Sequence, residues 1–416
     1  MNNEARLTWL TGFSHFITHG YMSLLPAVLV AITSEQAASF LSIGIIANIG
    51  YFLYGLGSFP AGWLADRYGA KRVLSIGVLG MAVSSVLVGV MPGTLGFAVA
   101  YALLGLFASI HHPAGLALIA RRVRERKGRA LGIHGVLGNV GLFLSPLVAA
   151  AAILTTGSWR TAYIFYGMVG FVYFLVLHRG RIDEEADLRL AELFQWRPQR
   201  RGAEAAARES TEAILPAAML VLYCGSILSG FIFRGSLTFF PTLLQREVLA
   251  ISGHDEPVVV AGFATSAILS LGLIGAWFGG WINDKIKVPE YFPVAVFLLV
   301  TPTLWCLSRF TDSSLLAAAA FFALVYYTWQ PSHNYLIAKY TRISSHGKGF
   351  GVNFFLLFGI GSIATAVGGY YADTYGVDHF YRIMAYVAAA ALLAAVSVFF
   401  AKRYRFRISC QLEKSD

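Results

Sequence analysis

Long apolar runs, broken by short polar or charged stretches, repeat from one end of the chain to the other. A helix that crosses a bilayer needs about 20 mostly apolar residues. At that grain twelve segments qualify. Six lie over roughly 9–31, 41–65, 73–91, 95–119, 129–154 and 159–178, and six over roughly 214–244, 257–283, 289–308, 313–338, 349–372 and 377–401. The stretch between the two sets, 179–212, is rich in Arg, Glu and Ala and reads as a solvated linker, in part an amphipathic helix. The pattern predicts an all-α membrane protein of twelve transmembrane helices. Its N-terminal six-helix bundle covers 1–178, a cytoplasmic linker 179–212, a C-terminal six-helix bundle 213–401 and a cytoplasmic tail 402–416. The opening residues carry no cleavable signal pattern, so the first apolar segment is expected to remain as a helix.

Composition sharpens this picture. The 416 residues are 57% hydrophobic and 13% charged, against about a quarter charged in soluble domains. The net charge of +10 does not point to nucleic acid, because the basic residues sit between apolar runs. With the N-terminus placed in the cytoplasm, 27 of the 32 Lys and Arg fall on that side. Four (Arg160, Arg246, Arg309 and Arg382) fall outside, and Arg234 lies within a span. Such a bias predicts twelve crossings of the inner (plasma) membrane with both termini cytoplasmic. Cys224, Cys306 and Cys410 lack metal or disulfide spacing.

The halves repeat. Gly62-Trp63-Leu64-Ala65-Asp66-Arg67 recurs as Gly280-Trp281-Ile282-Asn283-Asp284-Lys285, and His112-Pro113 as Gln330-Pro331, each 218 residues on. Gly20 and Pro26 match Gly235 and Pro241 at an offset of 215, and Lys127-Gly128 matches Lys348-Gly349 at 221. Two parallel repeats imply a cavity at their interface that opens to alternating sides by rocking.

The segment Gly62-x-Leu64-Ala65-Asp66-Arg67-x-Gly69-x-Lys71-Arg72 resembles the signature loop of the major facilitator superfamily. The resemblance implies the major facilitator fold and a conformational latch built from Gly62, Asp66, Arg67, Gly69, Lys71, Arg72 and the repeat mate Asp284. Ser14-His15, His112-Pro113, Gly138-Asn139-x-Gly141 and Pro146-Leu147 are similar to the fosmidomycin-resistance branch, which implies proton-linked drug export. His19 and Ala114 stand where that branch carries acidic groups. Gly141 and Pro146 belong to a reduced antiporter signature whose small residues would seal helix packing.

Ionisable groups at membrane depth are costly and mark function. Here they are His15, His19, His111, His112, His134, His333 and Arg234, with no Asp or Glu deep in any predicted span. Arg234 keeps its charge and binds carboxylate or phosphate as a fork. The 215 offset aligns it with His19 across the two halves. Arg234, His19, His15, His112 and His333 are therefore the expected substrate-binding set, and His19, His112 and His134 the expected proton-coupling set, because His titrates near neutrality. His15 and His19, four apart, share a helix face, whereas His111 and His112 face apart. No nucleophile elbow, HExxH pattern or phosphate loop appears, so an enzyme is not expected, nor a cofactor, nor a bound metal. The expected partners are a small solute, protons and the lipid bilayer, for a monomer. The predicted function is secondary transport of an organic anion or a drug by proton-linked alternating access. A metal-ion carrier and a non-transporting receptor of the same fold are the alternatives.

Overall fold

The structure, a computed structural model, describes residues 3–123, 127–180, 216–283, 285–341 and 346–412. The expected linker at 179–212 falls almost wholly outside them, as does Asp284. Every element described is helical. In the first half these are α1 (Asn3–Glu35), α2 (Phe40–Leu56), α3 (Ser58–Tyr68), α4 (Ala70–Val90), α5 (Gly93–Ala108), α6 (His111–Arg122), α7 (Lys127–Thr156) and α8 (Arg160–Arg179). The second half holds α9 (Pro216–Glu247), α10 (Leu249–Ser252), α11 (Pro257–Asn283), α12 (Tyr291–Leu307), α13 (Asp312–Tyr326) and α14 (Trp329–Tyr340). It closes with α15 (His346–Phe354), α16 (Ile363–Thr374) and α17 (Val377–Leu412).

Among the described residues, ten helical stretches are long and apolar enough to cross a membrane. The 17-residue α12 and the broken pair α13–α14 complete twelve rods. Two breaks have the same cause in both halves. Proline lacks an N–H and is tolerated in the first turn of a helix, not within it. Pro113 is the third residue of α6 and Pro331 the third of α14, so each rod stops before the proline and restarts. A π-helical turn, Phe355–Gly359, and a 3-10 turn, Ile360–Ser362, interrupt the rod between α15 and α16. The last helix runs on to Leu412, past the expected boundary at 401.

The repeat is visible in hydrogen bonds. The Tyr21 hydroxyl donates to the Tyr166 carbonyl at 2.8 Å, and the Tyr381 hydroxyl to the Ser236 carbonyl at 3.0 Å. Ser14 meets His111 at 2.9 Å and Ser229 meets Tyr326 at 3.0 Å. In each case the second bond lies 215 residues after the first (21 to 236, 166 to 381, 14 to 229, 111 to 326). The halves meet where α2 packs on α16 and the π turn, α7 on α11, and α1 on α9.

The start of α1 and the end of α17 lie at one end of the bundle, since an even number of rods running alternately up and down returns the chain to the same side. The halves are stitched together at the other, far end. Asp373, near the end of α16, accepts from the Phe40 and Leu41 N–H groups that open α2, at 3.0 and 2.8 Å. Thr365 donates to the Gly44 carbonyl at 2.9 Å, and Ser266 to that of Phe143 at 2.6 Å. The Arg246 guanidinium lies 5.2 Å over the Phe40 ring.

Candidate functional site

Midway along the bundle, Arg234 projects from α9 into the interface between the halves and is only 4% exposed. Its guanidinium carbon sits 4.0 Å from the Tyr51 ring centroid, 5.1 Å from that of Phe358, 5.2 Å from Phe233 and 5.7 Å from Tyr54. Two of these rings come from α2, one from the π turn and one from α9 itself, so both halves build the cage. Aromatic faces attract a cation without neutralising it. Among the described residues no carboxylate pairs with Arg234, and its Nε finds no acceptor. A buried, hydrogen-bond-hungry positive charge of this kind is a receptor for an anion.

Opposite stands a group of five histidines from three rods. His15 and His19 are one turn apart on α1, His111 and His112 open α6 after its break, and His134 lies on α7. His15 is the hub. Its Nε2 is 3.1 Å from His19 Nε2, and its Nδ1 donates to the His134 carbonyl at 2.8 Å. Its ring stacks on those of His134 and His111, with centroids 4.3 and 4.9 Å away. Gly138 makes room for it, because a side chain there would run into the His15 imidazole. His112 turns to the interface, where it stacks on Phe354 and Phe358 of the other half at 5.1 and 5.7 Å. His19 and His112 lie within electrostatic reach of Arg234. Two trios, His15 with His111 and His134, and His15 with His19 and His112, bring one ring nitrogen each to within 4.8 Å of the others.

Not every residue expected at the site joins it. His333 lies apart from Arg234, inside the second half, where its Nε2 meets Ser226 at 2.9 Å and Asn353 at 3.1 Å and its ring stacks on Trp329. Its partners are local because α14 turns that face towards α9 and α15 instead of the interface. His111, facing away from His112, is fully buried against Ser14 and His134. Tyr51 and Tyr54 serve as ring faces, while the Tyr51 hydroxyl donates to the Met22 carbonyl at 2.8 Å. Phe233, Phe354 and Phe358 went unnoticed in the sequence; the i, i+4 spacing of the last two was the available signal.

At the signature loop, Gly69 joins α3 to α4 at φ +100°, a conformation that favours glycine. Gly62 is under little steric constraint, since a Cβ there would meet Pro113 at 3.5 Å, an ordinary contact. Arg67 is exposed and lies over the Trp63 and Tyr68 rings, at 5.3 and 5.6 Å. Lys71 is buried, not solvated. Arg72 follows it in the first turn of α4, and the Asp66 backbone is helical, its side chain lying outside the described set. Gly141 lets α7 touch α1, because a Cβ would collide with the Phe16 carbonyl. Ser145, beside Pro146, ties the same pair by donating to Gly20 at 2.9 Å.

Membrane sensor protein UhpC of Escherichia coli (strain K12) is 26% identical to this chain over 333 residues, covering 76% of this chain and 73% of that protein. The fosmidomycin resistance protein of the same strain is 26% identical over 396 residues, 91% and 89% of the two chains. The D-galactonate transporter of Escherichia coli O6:H1 is 24% identical over 393 residues, 85% of each. Among solved structures, a bacterial homolog to the human lysosomal transporter Spinster, inward-facing and occupied, matches with a TM-score of 0.73 at 14% identity over 97% of each chain. The peptide transporter POT in complex with sulfate matches with a TM-score of 0.70 at 15% identity, over 96% of this chain and 94% of that one. At such identities the likeness is one of fold. Residues 11–366 match the family described as Major Facilitator Superfamily, and with its twelve rods, its 215-residue repeat and its midway interface site, the chain belongs to that superfamily.

Proposed function

We propose that this secondary transporter of small solutes carries a small organic anion by alternating access, with Arg234 as the anion-binding group. The observation that carries this is the caged guanidinium, buried midway along the bundle at the seam of the halves, with no carboxylate partner among the described residues. A substrate carboxylate or phosphate would supply the missing negative charge, and His19 and His112 would hydrogen-bond to it. A relative that transports D-galactonate, itself a carboxylate, supports the reading. Proton linkage is part of it, with the histidines of the first half as the groups left to carry the proton. The membrane is the inner (plasma) membrane, and the end bearing the termini faces the cytoplasm.

The test is transport of labelled carboxylates and phosphates into proteoliposomes. Arg234→Gln and Arg234→Lys should each lower uptake roughly 10- to 100-fold, because a hydrogen-bonded charge contributes about 1.5–3 kcal/mol and a point charge does not replace the fork. Unchanged transport by either variant would end the proposal. Imposed pH gradients test the drive: uptake indifferent to them between about pH 5.5 and 8 removes proton linkage. A second reading, a sensor, is favoured by the UhpC relative. Solute counterflow distinguishes the two, since a sensor binds its ligand without exchanging it. A resistance assay with fosmidomycin in a sensitive host tests export, suggested by the other relative.

A further inference from the structure

The anion reading uses one face of the histidine group and leaves most of its ring nitrogens idle. Buried polar atoms are ordinarily satisfied. Here His19 Nδ1, His111 Nε2, His112 Nε2 and both nitrogens of His134 are buried with no hydrogen-bond partner. Five imidazoles packed this closely, with no carboxylate among the described residues to hold them as cations, form a set of neutral nitrogen donors.

Two trios compete, and ring orientation separates them. His15, His111 and His134 are stacked nearly parallel, at 12–18° to one another. Imidazole lone pairs lie in the ring plane, so parallel rings aim theirs side by side and cannot converge on one ion. His15, His19 and His112 stand at 72–78° to one another, as the legs of a tripod. An ion about 2.0–2.1 Å from each nitrogen in a tetrahedral site sets those nitrogens about 3.3 Å apart. His15 Nε2 and His19 Nε2 are already at 3.1 Å, joined by a hydrogen bond that the ion would replace. The three residues each bring one ring nitrogen to within 4.8 Å of the others, so an ion would draw the third nitrogen in by at most about 1.5 Å. His15 is also primed. A carbonyl can only accept, so Nδ1 carries the proton in the 2.8 Å bond to His134 and Nε2 presents its lone pair.

We propose that His15, His19 and His112 form a three-histidine site for a borderline divalent transition-metal ion of the zinc class. Imidazole suits such ions, and hard cations such as calcium or magnesium would want oxygen donors that this trio lacks. Three neutral ligands leave the ion's double charge uncompensated beside Arg234. The fourth ligand is therefore an anion, and the one that Arg234 is proposed to bind is placed to supply it. That last step rests on the proposed function; the tripod itself does not.

Tag-free full-length protein in nanodiscs is titrated with Co2+, whose visible spectrum reports four-coordination, and then with Zn2+ as competitor. One equivalent per chain is expected. His19→Ala and His112→Ala should each weaken it at least about tenfold, and His254→Ala, in the far-end loop, should leave it unchanged. Melting temperature and elution profile establish that the variants are folded, and a rise in melting temperature on adding Zn2+ to the unaltered protein provides a readout that needs no variant. Failure of the unaltered protein to bind Co2+ and to be stabilised by Zn2+ overturns the site, as does equal binding by both folded variants. Inorganic phosphate, added with and without metal, separates the two readings. Metal binding indifferent to phosphate and to Arg234→Gln keeps the tripod and removes the anion from Arg234. Phosphate binding without any metal binding removes the tripod alone.

Discussion

At Gly138 a single methyl group is too much. It would enter the space of the His15 ring, the hub of the histidine group. Alanine gains about 1 kcal/mol of helix propensity over glycine, whereas overfilling a packed site costs about 1–3 kcal/mol. Gly138→Ala is therefore expected to lower the melting temperature in detergent and, by tilting His15, to reduce anion uptake. Gly280 is the contrasting case. It occupies the repeat position of Gly62, yet a Cβ there meets nothing within 4 Å. Gly280→Ala should leave thermal stability unchanged or raise it by up to about 1 kcal/mol. A glycine-rich sequence does not reveal which glycines face a neighbour, because that depends on a partner far away in the chain.

The elements are locked at their ends by polar groups. Glu290, which caps α12, is buried and accepts from Lys339 at 2.8 Å and from the Tyr340 hydroxyl at 2.5 Å, tying α12 to the end of α14. Burial pushes its carboxyl up, but these two hydrogen bonds, a backbone hydrogen bond and the Lys339 charge together outweigh burial and hold it down at about 2. A carboxyl with a folded pKa below its unfolded value of about 4.3 stabilises the fold above that value, and loses the contribution as the pH falls towards 2. Glu290→Gln should thus destabilise by roughly 1.5–3 kcal/mol near neutrality. The gap in melting temperature between variant and parent should begin to shrink below about pH 4 and close only near pH 2. A gap that stays constant from about pH 7 down to about pH 2 would mean the contact acts by packing, not charge. The apolar runs placed α12 within a few residues and the α13–α14 rod as one span over 313–338, without its break. That Glu290 would find Lys339, 49 residues on, was not legible from spacing.

Across the whole molecule, the far end is held shut by contacts between the halves. Asp373 caps the first turn of α2 from the opposite bundle, and a carboxylate at a helix N-terminus stabilises by about 0.5–2 kcal/mol. Asp373→Ala is expected to shift the population about 2- to 30-fold towards states open at the far end. Spin-label distances across α2 and α16 would measure it, and an unchanged distribution would show that packing alone holds this end. The pseudo-symmetry also shows where the halves part. His15 and His19 have Gly230 and Arg234 as their mates at 215, and His112 has Gln330 at 218. One half carries a cluster of neutral imidazoles and the other a lone guanidinium among rings. The shared fold supplies the two faces, and their differing residues supply the chemistry.

By itself the sequence determined the all-helical class, the twelve rods, the repeat and the short inventory of buried ionisable groups. Each of these follows from the cost of placing backbone or charge in hydrocarbon, which acts on every segment locally. Only the tertiary structure decided which of those groups meet. It gathered four histidines around His15, set the Tyr51 and Phe358 faces against Arg234, and kept His333 within its own half. Those contacts depend on how rods distant in sequence rotate and pack against one another, and the long-range steric fit that fixes such rotations leaves no periodic trace along the chain.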